Sequence, residues 1–155
     1  MKTSQNIYRF PFFGNIDPAP ASFHDETKWQ RYALDFPMTE GTPVLAAYDG
    51  LVIEVKDGSV TGGPYRELID KDNSIILGHE NDEFTHYVHL RKGIEVSERQ
   101  LIKEGDLLGY SGTTGYTAYP HLHFAVCIAK GKYHHTIIPR FRKGQRIITM
   151  RSPQR

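Results

Sequence analysis

The chain has 155 residues, 39% of them hydrophobic, with a formal charge of +1 and one cysteine. That length supports one domain with a sizeable core; the near-zero charge excludes a broad basic field for nucleic acid, and a lone thiol excludes an internal disulfide. No run is long enough for a transmembrane helix, and the opening "MKTSQNIYRFPFFGN" lacks the basic-then-apolar order of a signal peptide.

Fourteen glycines and nine prolines punctuate the chain, which favours many short strands over long helices. Residues 1–31 read as an extension, closing in a surface loop because Asn15–Arg31 shows no periodicity. An apolar strand follows at Tyr32, Ala33, Leu34 and Phe36, interrupted by Asp35, whose bare carboxylate is costly to bury without a cation. "PVLAAYDGLVIEVKDG" (Pro43–Gly58) predicts a hairpin about Asp49–Gly50. A second hairpin is expected in Asn73–Leu90, with strands Ser74–Gly78 and Phe84–Leu90 around a polar turn at Glu80–Glu83. Ser97–Glu104 alone has a helical pattern. "DLLGYSG" (Asp106–Gly112) is a short strand after a Lys103–Gly105 turn, and "TTGYTAYP" is a loop that delivers the chain to His121. "KYHHTIIPRF" offers a last strand that Pro139 must end or place at an edge. These elements predict a single antiparallel all-β domain, two sheets or a flattened barrel with long loops, its core at 32–128. Residues 129–155 supply a strand and a tail, whose Arg140, Arg142, Lys143, Arg146, Arg151 and Arg155 read as a solvated edge.

"AYPHLHFAV" (Ala118–Val126) carries the clearest chemical signal. On a strand His121 and His123 point the same way, about 7 Å apart at their Cα atoms, where a plain core would prefer Val or Ile. Imidazole and carboxylate are the usual ligands of a catalytic zinc, which keeps one position open. A pair at i and i+2 supplies one ligand and leaves the other ring to handle protons, and Asp35 is the best complementary carboxylate. In "THYVHL" alternation puts His89 with Tyr87 and His86 with Val88, so both histidines cannot serve one site without a bulge. Turning His89 toward the site leaves His86 outward. His79, His86, His134 and His135 read as structural, and Cys127 as a small buried hydrophobe.

"YALDFPMTEGTPVLAAYDGLVIEV", then "YVHL", then "EGDLLGYSGTTGYTAYPHLHFAV" resembles the lysostaphin-type (LytM-like) zinc metallopeptidases across Tyr32–Val126. "YRFPF" and "HTIIPRF" are similar to the branch of that family with "YAxDF" around its aspartate. The resemblance implies a barrel-sandwich-like β fold (a duplicated hybrid motif) around a groove, one zinc, and hydrolysis of peptide bonds in bacterial peptidoglycan. An extracytoplasmic location would follow from that substrate, with a monomer as the default. Position by position it implies Asp35 and His123 as metal ligands, with His89 and His121 handling protons and polarising the scissile carbonyl. The family's other metal histidine lies four residues before the aspartate, where this chain has Arg31, which cannot ligate zinc. His24, eleven residues before Asp35, takes that role on a longer loop, an insertion that costs little. Arg31 is also the argument for a degenerate, non-catalytic relative that binds peptidoglycan or regulates a wall hydrolase. A phosphocarrier module with a phosphorylated His89 is a further rival; it needs neither Asp35 nor a metal.

Overall fold

The computed structural model describes residues 2–20 and 30–153, and they are almost entirely β structure. In chain order the strands are β1 (Thr3–Tyr8), β2 (Leu34–Pro37), β3 (Pro43–Leu45), β4 (Gly50–Lys56), β5 (Gly62–Gly63), β6 (Asn73–Gly78) and β7 (Glu83–Leu90). They continue as β8 (Leu101–Ile102), β9 (Leu107–Tyr110), β10 (Gly115–Tyr116), β11 (His121–Lys130), β12 (Tyr133–Lys143) and β13 (Arg146–Thr149). A curled main sheet runs β1-β12-β11-β7-β6-β4-β8, with β13 on β12 and β2 on β11; β3 pairs with β9 and β5 with β10 in two small sheets. Most pairings are antiparallel as expected, but β1–β12 and β5–β10 are parallel, so the sheet is mixed.

Alternation along β11 sorts the molecule into two faces. Leu122, Phe124 and Val126 enter the main core with Tyr8, Phe12, Leu34, Phe36, Leu77, Tyr87 and Phe141. The intervening residues must then take the other face, where Ala125 and Cys127 pack with Ala33 and Phe84. Cys127 is the small buried hydrophobe expected, and burial pushes its thiol up to about 12.

The Asn73–Leu90 hairpin forms as read, β6 against β7 across a 3-10 turn at Glu80–Asp82. The Pro43–Gly58 hairpin does not. β3 pairs with β9, whereas β4 pairs with β6 and β8. The intervening alanines are committed elsewhere: Ala46 N–H donates to the Asp106 carbonyl, and Ala47 N–H to the Tyr87 hydroxyl. Asp49 accepts the Glu104 N–H at 2.7 Å, so Asp49–Gly50 carries the chain between sheets instead of folding it back.

Ser97–Glu104 is not helical. Arg99 N–H donates to the Val52 carbonyl and Val52 N–H to the Gln100 carbonyl, which lays the segment along the edge of β4 as β8. Nor does Pro139 end its strand or sit at an edge. With β1 along one edge of β12, the other edge pairs with β11 up to Ile137 and with β13 from Arg140, so the missing N–H of Pro139 falls in the gap between those two partners. Residues at both ends expected to be extension and tail are sheet strands, β1 and β13. The fully buried Glu83 carboxylate holds β1 in place by accepting the Gln5 and Asn6 N–H groups and the Tyr8 hydroxyl.

Candidate active site

β11 has β7 along one edge, while β2 and β12 share the other: β2 opposite His121–Phe124, β12 opposite Val126–Lys130. In that register Asp35 lies directly across from His123. Leu34 and Phe36 go to the core, so Asp35 is thrown onto the face of the two histidines. Its Oδ1 is 3.1 Å from His123 Nδ1 and 3.5 Å from His121 Nε2. Asp35, His121 and His123 are 8%, 5% and 9% exposed, a depth at which a carboxylate needs partners.

Plain alternation would bury His89 beside Tyr87. The backbone prevents this: His89 has φ of +68°, and the β6–β7 register slips there, Asn73 facing Leu90 and Ser74 facing Val88. This bulge turns the ring to the other face, 4.8 Å from His121 and 6.0 Å from His123 between centroids. A non-glycine residue at that φ carries strain, which the surrounding strands hold in place.

The bulge also corrects the expectation for His86, which is not turned outward. It stays on the face of His123 and is half-buried, its Nε2 2.8 Å from His134 Nδ1. The His134 ring stacks on Phe84 at 4.3 Å. His79 is occupied elsewhere, Nδ1 accepted by the Asp49 carbonyl and Nε2 bonded to the Thr85 hydroxyl. His135 lies half-buried on β12.

Hydrogen bonding fixes the tautomers of His89 and His121. His89 Nδ1 lies 2.7 Å from the Thr114 carbonyl and His121 Nδ1 2.8 Å from the Tyr119 carbonyl. A carbonyl only accepts, so each Nδ1 carries the proton and each neutral ring keeps a lone pair on Nε2. Burial, reinforced by His123 and His121, lowers His89 to about 4. Burial also lowers His121, against the opposing pull of the Asp35 charge. Both rings are therefore neutral bases at pH 7. Thr114 and Tyr119, the orienting residues, gave no sequence signal, because the contacts come from main-chain oxygens that any residue possesses.

The nitrogen and oxygen donors of His123 and Asp35 suit zinc chemically, and 3.1 Å is within the span of two ligands each roughly 2 Å from one ion. Among the described residues no three His, Cys, Asp or Glu side chains converge as a metal cage. His24 lies outside the described residues. Arg31, in the usual histidine position, is exposed with its guanidinium 6.0 Å from the Tyr32 ring centroid. The structure thus brings together four of the five residues named from sequence: Asp35, His89, His121 and His123.

The sequence profile described as Peptidase family M23 matches residues 30–136. The chain is 38% identical over 94 residues to the glycyl-glycine endopeptidase ALE-1 of Staphylococcus capitis, covering 60% of this chain and 23% of that protein. It is 34% identical over 116 residues to the peptidoglycan DD-endopeptidase ShyA of Vibrio cholerae, covering 74% of this chain and 24% of that protein. This chain therefore spans about a quarter of the length of these curated relatives. Among solved structures, the catalytic domain of lysostaphin from Staphylococcus simulans superposes with a TM-score of 0.55 at 27% identity, over 79% of this chain and 85% of that one. A zinc-containing peptidase from Vibrio cholerae matches at 0.50 and 29% identity, over 77% of this chain and 33% of that one. A profile match over most of the chain, carrying the Asp35 strand, the bulged His89 and the His121–His123 pair within it, shows that the chain belongs to Peptidase family M23.

Proposed function

We propose that this chain is a zinc-dependent endopeptidase that hydrolyses peptide bonds of bacterial peptidoglycan outside the cytoplasm. The observation that carries the reading is the bulge at His89, which brings a third imidazole to the buried Asp35–His121–His123 group. The named relatives, a glycyl-glycine endopeptidase and a peptidoglycan DD-endopeptidase, supply the substrate class.

Asp35 and His123 would hold the zinc, with His24 as third protein ligand. Bound zinc supplies Lewis acidity, which polarises a carbonyl and makes water a usable nucleophile near neutral pH. The chain's own residues do the proton work. The Nε2 atoms of His89 and His121 are the available acceptors, oriented by the Thr114 and Tyr119 carbonyls. One takes the proton of the attacking water at Nε2 and, charged by it, passes that proton to the leaving amine; the other, neutral, accepts at Nε2 from the water's second O–H and holds it in place. The two rings stand 4.8 Å apart, close enough to serve one scissile bond from neighbouring positions.

The test combines zinc content and turnover of purified peptidoglycan. The unaltered protein takes up one zinc per chain and releases soluble peptides; His123→Ala loses both. Failure of the unaltered protein to take up supplied zinc rules the proposal out. A His24→Ala variant with normal zinc and rate removes only the assignment of the third ligand.

A further inference from the structure

We infer that Tyr119 is a specificity-determining residue of this site, its ring forming a wall against which the peptide beside the cleaved bond packs. The inference rests on the endopeptidase reading and adds a substrate contact to it. Tyr119 sits two residues before His121, and its ring lies 4.5 Å from the imidazole, tilted by 32°. One face is thus against the proposed proton-handling residue, while the residue as a whole remains 38% exposed.

The backbone holds the ring there. The Tyr119 carbonyl accepts the Thr117 hydroxyl at 2.8 Å and the His121 Nδ1–H at 2.8 Å, and its N–H reaches back to Thr117 Oγ1. Pro120 follows, which biases Tyr119 toward extended backbone and stiffens the approach to the histidine. The side chain, by contrast, does little for the fold. It belongs to neither apolar cluster, and its hydroxyl makes no hydrogen bond among the described residues. An aromatic face plus an available phenolic donor, next to the reacting centre, suits an extended peptide: the ring packs on an amide plane and the hydroxyl donates to a carbonyl.

The orientation of His121 does not depend on that ring, because the Tyr119 main-chain carbonyl fixes it. This separates substrate contact from mere buttressing. Zinc-loaded wild type, Tyr119→Phe and Tyr119→Ala are assayed on two probes, pentaglycine and a stem-peptide dimer linked through D-alanine. An aromatic contact of this kind corresponds to about a two- to tenfold change in affinity. Tyr119→Ala is expected to raise KM on the preferred probe by that factor, with kcat within about twofold and an unshifted pH profile; Tyr119→Phe falls between. Unchanged KM overturns the inference. So does a kcat loss at constant KM with a shifted pH profile, which would make the ring a support for His121. If wild type cleaves neither probe, the endopeptidase reading fails by itself, and calorimetric binding of the same peptides decides Tyr119. Weaker binding by Tyr119→Ala then supports it; equal binding, or none by either protein, overturns it.

Discussion

Two groups of imidazoles share one face of the sheet and have different partners. His86 and His134 bond each other, Nε2 to Nδ1 at 2.8 Å, above Phe84. One pleat away, where Val88 faces His123 and His86 faces Ala125, His89 and His121 give their Nδ1 protons to main-chain carbonyls. A ring anchored through Nδ1–H to a carbonyl is oriented and still basic at Nε2. A ring whose facing atom is another imidazole nitrogen has spent that atom on its neighbour. Asp35 reinforces the contrast: it lies within 3.5 Å of His121 and His123.

Substitutions can sharpen that contrast. The largest effect is expected at the carboxylate–imidazole pair, where Asp35→Asn or His123→Ala should abolish measurable turnover and zinc uptake together. His89→Ala or His121→Ala should lower kcat by about 10²- to 10⁴-fold while bound zinc stays at the wild-type level. Zinc analysis and turnover on the same preparation separate the two classes, and a normal rate in His89→Ala would remove the ring from the proton chemistry. His89→Gly loses the imidazole too, but relieves a residue held at φ +68°. Its urea midpoint should exceed that of His89→Ala by the equivalent of about 1 kcal/mol. Equal midpoints would show that the bulge carries no strain.

The spacing of His121 and His123 on a strand, and an isolated carboxylate in an apolar run, were enough to bring Asp35 to this pair from sequence. Strand alternation is local, so it survives folding. Placing His89 needed more. Alternation gave it the face of Tyr87, and only a bulge, set by how Asn73 and Leu90 meet across the hairpin, brings it round. The outward placement of His86 fails for the same reason: the bulge turns His89 alone, and plain alternation keeps His86 on the face of His123. Pro43–Gly58 failed for a related reason: its strands and Asp-Gly turn are real local signals, but Ala46 and Ala47 find better partners in Asp106 and Tyr87, distant in sequence. Where an element's hydrogen bonds are long-range, composition and periodicity describe the strand and leave its neighbour open.

The smallest effect belongs to the other imidazole group and reads out in stability rather than rate. Burial, then His134 and His123, lowers His86 to about 3, well below the ordinary value of 6.5. Well above pH 6.5 the ring is neutral folded and unfolded, so it adds no pH dependence there. As pH falls from 6.5 toward 3 the unfolded chain binds a proton that the folded one refuses, and stability drops. His79, His89, His121 and His134 are lowered as well and act in the same direction, so His86 carries one share of the total. His86→Gln keeps a side chain able to donate to His134 but cannot titrate in this range. In metal-free protein its urea midpoint should fall less between pH 7 and pH 5 than that of wild type, while peptidoglycan turnover at pH 7 stays within about twofold, since the pair takes no part in the chemistry. Parallel pH dependences in the two proteins would mean that the folded state accepts the proton at His86 as readily as the unfolded one. The contrast between a spent imidazole pair and a poised one would then lose its electrostatic half.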